Sequence, residues 1–186
     1  MLRSFANATG THVAIGLTSK CPYGLGACWG GAFDALVKLD DVSAVRPIAN
    51  AKDSVADVYL HGDTLPDVDR WHAQIQQSAN GSYDVRGVEL SVTGTLHAEA
   101  GLLTLSGPLF RAPLRLEALG ATPKVQFDRT TGKPQSASAE EQNAFARLAA
   151  LTAATGNDRH IRVTGPLTRE AATWALHVRA FENLPA

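Results

Sequence analysis

The spacing of apolar residues changes character near Arg86-Gly87, close to the middle of this 186-residue chain. Before that point, strand-like apolar runs alternate with stretches whose apolar residues recur at helical spacing. After it, the two-residue period of β-strands dominates. Such a change indicates two packing units, and a chain of this length suits two small domains. We therefore predict an α+β protein with domains at residues 1–86 and 87–186.

The first half contains six predicted elements in the order β-α-β-β-α-β. They are expected at residues 11–18, 29–39, 42–48, 54–61, 66–79 and from Tyr83 onward. The first helix places Phe33 and Leu36 on one stripe, and the second begins near Pro66 and Asp67, which suit a helix N-terminus. This order is the split pattern of a ferredoxin-like sandwich. We expect its last strand to run directly into the second half.

The second half predicts three strands, a helix and two strands. The strands are expected at residues 88–96, 102–106, 113–119, 161–167 and 174–181, and residues 120–137 are expected to form an irregular connection. Ser138 and Glu141 form a capping-box pattern ahead of an alanine-rich helix that ends at Gly156-Asn157. This order is that of a small oligonucleotide/oligosaccharide-binding (OB) β-barrel.

Two strands of the predicted barrel share a motif. The motif is Val-Thr-Gly-Thr-Leu at residues 92–96 and Val-Thr-Gly-Pro-Leu at residues 163–167. Glycine inside a strand is typical of the bends that close a small barrel. The motif therefore supports the barrel prediction.

The chain has two cysteines, Cys21 and Cys28, and both lie in the loop between the first strand and the first helix. Two thiolates suit Cu(I), and they suit Zn(II) when further ligands join them. Cys28 opens a helix, whose positive N-terminal end favours a thiolate and so favours thiol redox chemistry as well. At this point a metal site, a disulfide, a redox pair and idle thiols all stay open.

Glycines surround the cysteines, and we expect them to support the loop. With Trp29, these residues are Gly24, Gly26, Gly30 and Gly31. Their spacing matches neither a dinucleotide fingerprint nor a phosphate-binding loop, so tight turning is the favoured interpretation. No nucleophile-elbow motif occurs, and no catalytic residue is predicted. His61 and His72 are candidate third metal ligands only if folding brings them near Cys28.

Three stretches carry a resemblance to a known family: Gly16-Leu-Thr18, Cys28-Trp-Gly-Gly-Ala-Phe-Asp-Ala-Leu36 and Leu39-Asp-Asp-Val42-Ser-Ala-Val45. They resemble the heavy-metal-associated domain, the ferredoxin-like module of copper chaperones and metal-transporting ATPases. That family has Cys-x-x-Cys directly after the threonine, whereas six residues separate the cysteines here. Cys28 matches the second family cysteine, Leu25 replaces the first, and Cys21 can substitute only if the longer loop folds back. The resemblance implies a soft-metal site at Cys21 and Cys28.

The charge pattern does not favour nucleic acid as a partner. The net charge is −1, and acidic residues balance the arginines of the predicted barrel. The arginines are Arg111, Arg115, Arg162 and Arg179, the acids are Glu89, Glu117 and Glu182, and the nearby aromatics are Phe110, Trp174 and Phe181. We expect the barrel to contact another protein or a larger complex, and the aromatic residues to fill its core.

The sequence thus predicts a non-enzymatic protein that binds a soft metal, Cu(I) or Zn(II), or serves as an accessory or assembly protein. The alternatives are a purely structural or complex-subunit protein with a Cys21–Cys28 disulfide or idle thiols, and a thiol redox protein. No apolar stretch approaches the roughly 20 residues of a membrane span. The first residues lack the apolar core of a signal peptide, so a cytoplasmic location is predicted as written, and an exported protein trimmed of its signal fits equally.

Overall fold

A computed structural model describes residues 5–62, 64–107, 112–155, 159–170 and 173–185. The protein is a mixed α+β protein, as predicted. Its contacts divide it into unit 1, residues 1–88 with Lys124–Gln135, and unit 2, residues 89–123 with 136–186. None of the helices in the described ranges is both long and apolar enough to cross a membrane.

Unit 1 has a four-stranded sheet in the order β4-β1-β3-β2. Its elements are β1 (His12–Ser19), α1 (Gly24–Ala27), α2 (Trp29–Leu36), β2 (Val42–Val45), β3 (Val55–Leu60), α3 (Val68–Ser78) and the start of β4 (Tyr83–Glu99). β3 pairs antiparallel with both β1 and β2. The observed order is the predicted one with a single-turn helix, α1, inserted before α2.

The helix α3 shows why these segments fold where they do. The Asp67 side chain accepts a hydrogen bond from the Arg70 amide at 3.1 Å and caps the helix N-terminus. Trp71 and Ile75 lie one turn apart and are buried. The Trp71 indole donates to the Asp40 carbonyl at 3.1 Å, so its one polar atom is satisfied inside the core.

Unit 2 is a closed five-stranded barrel, as predicted. Its elements are the remainder of β4, β5 (Leu102–Ser106), β6 (Leu114–Ala118), α4 (Ala139–Thr155), β9 (Arg159–Glu170), β10 (Thr173–Val178) and β11 (Ala180–Asn183). The strands follow the ring β4-β5-β6-β10-β9, and a β9–β4 pairing closes it. β6 and β10 run parallel, and β10 and β11 both pair antiparallel with β9.

The glycines of the repeated motif lie where strands approach one another most closely. A Cβ on Gly165 would overlap the His177 carbonyl oxygen, and a Cβ on Gly94 would overlap that of Ser106. The sequence predicted a bend at these glycines. The structure gives a more specific reason for them, since any side chain would force apart two neighbouring barrel strands.

The capping box of α4 is formed as predicted. The Glu141 amide donates to the Ser138 hydroxyl at 3.2 Å, and the Ser138 amide donates to the Glu141 carboxylate at 2.7 Å. Ala144 and Leu148, four residues apart, are buried. The predicted helix end at Gly156-Asn157 lies outside the described residues.

The segment at residues 120–137 differs from the irregular connection that the sequence predicts. It contains a small hairpin of β7 (Phe127–Asp128) and β8 (Lys133–Pro134), and residues 124–135 belong to unit 1. Val125 is buried in a cluster with Ala14 and Val55. The Phe127 amide also donates to the Asp53 carbonyl at 2.8 Å, and strands of two residues are too short to produce a periodic pattern.

Candidate functional site

The two cysteines are joined by a disulfide, with their Cα atoms 6.6 Å apart. The single turn α1 brings them together, because the Gly24 amide donates to the Cys21 carbonyl and the Cys28 amide donates to the Gly24 carbonyl. The Cys21 amide donates to the Ser19 hydroxyl at 3.1 Å, which ties the loop to the end of β1. The longer loop therefore folds back, which is the condition for Cys21 to pair with Cys28.

Cys28 lies between α1 and α2 and is the residue that immediately precedes α2. Its carbonyl oxygen accepts a hydrogen bond from the Tyr83 hydroxyl. Burial raises the pKa of Tyr83, so this donor keeps its proton well into the alkaline range.

Gly24 is favoured by its backbone conformation, and a side chain here would also displace Arg129. Its φ angle is +80°, a left-handed conformation that glycine adopts without strain. A Cβ at this position would collide with the guanidinium of Arg129, which lies directly against the Gly24 backbone. The same guanidinium donates to the Pro22 carbonyl at 3.5 Å. Arg129 thus covers the turn that joins the two cysteines.

The other predicted support residues differ in their surroundings. A Cβ on Gly26 would lie 2.9 Å from the Ala51 side chain, and a Cβ on Gly31 would lie 3.0 Å from the Tyr83 hydroxyl oxygen. A Cβ on Gly30 would meet nothing within 4 Å. The Trp29 indole donates to the Pro47 carbonyl at 2.7 Å and fixes the first turn of α2 to the segment after β2.

A cavity of about 190 Å³ lies beside the disulfide within unit 1. Its walls come from the end of β1, from α1, from the turn before β3 and from the β7–β8 hairpin. The lining residues are Thr18, Ser19, Cys21, Gly24, Leu25, Ser54, Phe127 and Arg129. Of the two cysteines, only Cys21 lines it. The volume is below the roughly 300–1,000 Å³ of drug-sized pockets, so it suits a small ligand.

Arg86 of β4 lies behind this cavity and contacts three of its lining residues. Its guanidinium donates to the Thr18 hydroxyl at 2.9 Å and to the Ser54 carbonyl at 2.8 Å. It also stacks on the Phe127 ring at 4.7 Å and donates to the Val125 carbonyl at 2.7 Å. Burial lowers the pKa of Arg86 to about 10, because these neutral acceptors replace water only in part.

The donor set at the Cys loop fits a soft metal ion once the disulfide is opened. Two sulfurs that can bond to each other can also converge on one Cu(I), which accepts few and soft ligands. His61 and His72 are both exposed. Within the described residues, no group of three or more His, Cys, Asp or Glu side chains is arranged to hold a metal ion.

The barrel residues considered for nucleic acid are held in ion pairs. Each described arginine pairs with one of the acids named beside it: Arg115 with Glu117, Arg162 with Glu182, and Arg179 with Glu89. Trp174 stacks against the Arg169 guanidinium at 5.3 Å, and Phe181 against that of Arg147 at 5.7 Å. Phe110 and Arg111 lie outside the described residues.

Sequence reasoning missed Arg86, Phe127 and Arg129, which complete the surroundings of the Cys loop. Arg129 and Phe127 lie in a polar stretch without periodicity, and no sequence pattern links them to a loop 107 residues earlier. The position of Arg86 in a strand-like run could have indicated an arginine that needs hydrogen-bond acceptors inside the fold. The sequence alone does not reveal which acceptors it finds.

The resemblance to heavy-metal-associated domains is carried by the sequence motifs and the position of the Cys loop. No protein-family model, curated protein or solved structure matches this chain. The metal assignment of Cys21 and Cys28 therefore stays a prediction.

Proposed function

We propose that this is a non-enzymatic soft-metal-binding protein whose reduced Cys21–Cys28 pair binds Cu(I). The observation that carries the proposal is the turn α1, which brings two cysteines of sequence separation seven within bonding distance. They lie between the first strand and the first full helix of a β-α-β-β-α-β unit, where the resemblance expects a metal loop. The longer spacing is therefore no obstacle to joint binding of one ion.

The architecture of each unit supports this assignment. The element order of unit 1 and its sheet order β4-β1-β3-β2 favour a ferredoxin-like module. The five-stranded ring of unit 2, with α4 between its third and fourth strands, favours an OB-like barrel. Because a fold does not define a ligand, we assign the barrel the general role of an interaction domain. Its expected partner is another protein or a larger complex.

The residues around the loop suit two thiolates. Bound Cu(I) would supply a single positive charge, which leaves a pair of thiolates with a net negative charge. Arg129 over the turn and Arg86 behind the cavity are positive groups that offset that charge. The hydrogen bond from Tyr83 to the Cys28 carbonyl holds the second cysteine in place at the start of α2.

A competition titration tests the proposal. The fully reduced protein is titrated with Cu(I) in the presence of a competing chelator, in parallel with a Cys21→Ser/Cys28→Ser double variant. We expect the reduced protein to withdraw one equivalent of copper and the double variant to withdraw none. The oxidised wild-type protein is the matched control, because its sequence is unchanged and its sulfurs are bonded. An unchanged affinity in the double variant would contradict the proposal.

A second candidate function is favoured by the bonded sulfurs themselves. In this candidate the Cys21–Cys28 disulfide is permanent and stiffens the loop of a structural or assembly protein. Thiol counting on the native protein, with and without a mild reductant, separates the two. A permanent disulfide predicts no titratable thiol in either sample, whereas a metal site predicts two thiols after mild reduction.

A further inference from the structure

Two positively charged side chains lie at the cavity beside Cys21. Arg129 lies on its wall, and Arg86 contacts its lining residues Thr18 and Ser54 from behind. Within the described residues, neither guanidinium has a carboxylate partner, and the buried Nε of Arg86 has no hydrogen-bond partner. This is a local excess of positive charge around a cavity that Cys21 lines.

The carboxylates closest along the chain to Arg86 and to the lining residues have other partners: Asp84 lies 3.9 Å from the Lys20 ammonium, and Asp53 and Asp128 accept hydrogen bonds from neutral donors. Asp53 accepts hydrogen bonds from the Asn50 side chain at 2.8 Å and the Gln135 side chain at 2.7 Å. Asp128 accepts one from the Thr130 amide at 2.7 Å. The positive groups around the cavity are therefore left for an external anion.

We propose that this cavity binds a small anionic thiol, which exchanges with the Cys21–Cys28 disulfide by attack on the sulfur of Cys21. Three observations select this ligand: the disulfide-bonded residue Cys21 in the lining, the Arg129 guanidinium against the neighbouring Gly24 backbone, and a volume of about 190 Å³ that suits a small molecule. The hydroxyls of Thr18 and Ser19 and the ring of Phe127 complete a surface suited to a short chain with a charged end.

The exchange balances as two successive displacements. The ligand thiolate forms a bond to the Cys21 sulfur, the Cys21–Cys28 bond breaks, and its electron pair leaves on Cys28 as a thiolate. A second ligand thiolate then attacks the ligand sulfur of the mixed disulfide and releases Cys21 as a thiolate. The protein gains two electrons as a dithiolate, and two ligand molecules are oxidised to their disulfide.

This inference deepens the proposed function, since it names the class of molecule that would generate the metal-binding dithiol. It does not depend on metal being bound. All its tests use metal-free oxidised protein, so a failed Cu(I) titration would leave them valid, and their failure would leave the Cu(I) result unaffected.

The first test measures the rate at which the disulfide is reduced by 2-mercaptoethanesulfonate and by neutral 2-mercaptoethanol, each expressed per thiolate. We expect the anionic thiol to react faster in the wild type. Removing one nearby charge with Arg129→Gln should reduce that preference about fivefold, the factor expected for one unit charge about 4 Å away in water. Because the readout is a ratio of two rates, any general loosening of the loop cancels.

Lys38→Gln is the matched control, because Lys38 is an exposed cation of unit 1 that lies beyond the far end of α2. It should leave the preference unchanged. Ethanesulfonate, which lacks the thiol, should slow the reaction of the anionic thiol in the wild type. An equal preference in wild type and Arg129→Gln would overturn the proposal.

The second test uses the wild-type protein alone and reads the direction of attack. The reaction with 2-mercaptoethanesulfonate is quenched early with iodoacetamide, and the peptides are mapped by mass spectrometry. We expect the mixed disulfide on Cys21 and the alkyl group on Cys28. The reverse distribution would overturn the assignment of Cys21 as the attacked sulfur.

Discussion

Each unit holds a half-buried arginine, and the two units treat its charge in opposite ways. In unit 1, Arg86 is held by a hydroxyl, two carbonyls and an aromatic ring. In unit 2, Arg179 is held by the carboxylates of Glu89 and Glu141. Burial lowers the pKa of Arg86 to about 10. Burial alone would lower that of Arg179 too, but hydrogen bonds and the charges of Glu89 and Glu141 raise it overall.

The difference separates a charge that is neutralised inside the protein from a charge that is available to a ligand. Glu89 is almost fully buried, so the barrel encloses an ion pair whose partners satisfy each other. Around the cavity beside Cys21, Arg86 and Arg129 have no acidic partner among the described residues. A region that leaves a buried charge uncompensated is prepared for an anion, whether a thiolate of its own or one from a ligand.

The largest expected effect is on the barrel. Arg179→Met removes the guanidinium that pairs with the buried Glu89 carboxylate and with Glu141, which should destabilise unit 2 by about 3–5 kcal/mol. Hydrogen-exchange mass spectrometry of the barrel peptides in increasing urea measures this locally. Arg162→Met, which breaks the exposed pair with Glu182, is the control and should cost about 0–1 kcal/mol.

Arg86→Met sharpens the same comparison. It removes an uncompensated charge and the hydrogen bonds to the Ser54 and Val125 carbonyls, of which the Ser54 carbonyl keeps its bond from the Leu17 amide, so the loss should be about 1–3 kcal/mol, confined to unit 1. An Arg86 variant that is as unstable as Arg179→Met would contradict the distinction between the two arginines.

Reduction of the disulfide should destabilise unit 1 and leave unit 2 unchanged. Closing a loop of this length in the unfolded chain corresponds to about 2.5 kcal/mol in the chain-entropy model. The same exchange experiment on oxidised and reduced protein measures the difference. The Cys21→Ser/Cys28→Ser variant should match the reduced protein. A larger change in the barrel peptides than in unit 1 would contradict the prediction.

Substitutions at two glycines compare how tightly the barrel and the helix after the Cys loop are packed. Gly165→Ala places a methyl group on the His177 carbonyl and should destabilise the barrel by about 1–3 kcal/mol. Gly30→Ala lies in α2 with open space around it and should stabilise unit 1 by about 0.5–1 kcal/mol. Exchange protection of each unit measures both. If both variants changed the stability of their units in the same direction, the strand contact at Gly165 would not be tight.

The smallest expected effect is pH-dependent and involves Tyr83. Tyr83→Phe loses the hydrogen bond to the Cys28 carbonyl, worth about 1 kcal/mol at neutral pH. Because burial raises the pKa of Tyr83 above its ordinary value, its contribution is complete below pH 10 and is lost as the pH rises through the folded-state value.

The stability difference between wild type and Tyr83→Phe should therefore shrink above about pH 10. Urea unfolding of both proteins from pH 7 to 11 checks this, and titration of Arg86 cancels because both proteins contain it. A difference that grows with pH would contradict a raised pKa.

Local patterns were sufficient to predict much of the fold. The capping box at Ser138 and Glu141, the hairpin of β4 and β5 and the uninterrupted passage of β4 through Arg86-Gly87 all follow from residues near one another in sequence. The barrel order could be predicted because each strand has its own alternation and turn. Residues 124–135 could not be assigned, since the contacts that join them to unit 1, such as the burial of Val125 and the hydrogen bond from Gln135 to Asp53, link residues distant in sequence.

The position of the candidate site could be predicted from the sequence, but several of the residues that surround the two cysteines could not. The sequence located Cys21 and Cys28 in one loop, which the local turn α1 folds back, but the residues that surround the folded loop are distant in sequence. Tyr83 reaches Cys28 across 55 residues, and Arg129 reaches Pro22 across 107. Contacts between residues so far apart produce no periodic pattern in the sequence, so a single sequence cannot reveal them.

The most direct test of the central claim is X-ray absorption at the copper edge of the reduced protein loaded with one equivalent of Cu(I). We predict sulfur scatterers from both Cys21 and Cys28, and their complete loss in the Cys21→Ser/Cys28→Ser variant prepared in the same way. A copper environment of nitrogen or oxygen alone, or a spectrum that the double variant reproduces, would contradict the claim.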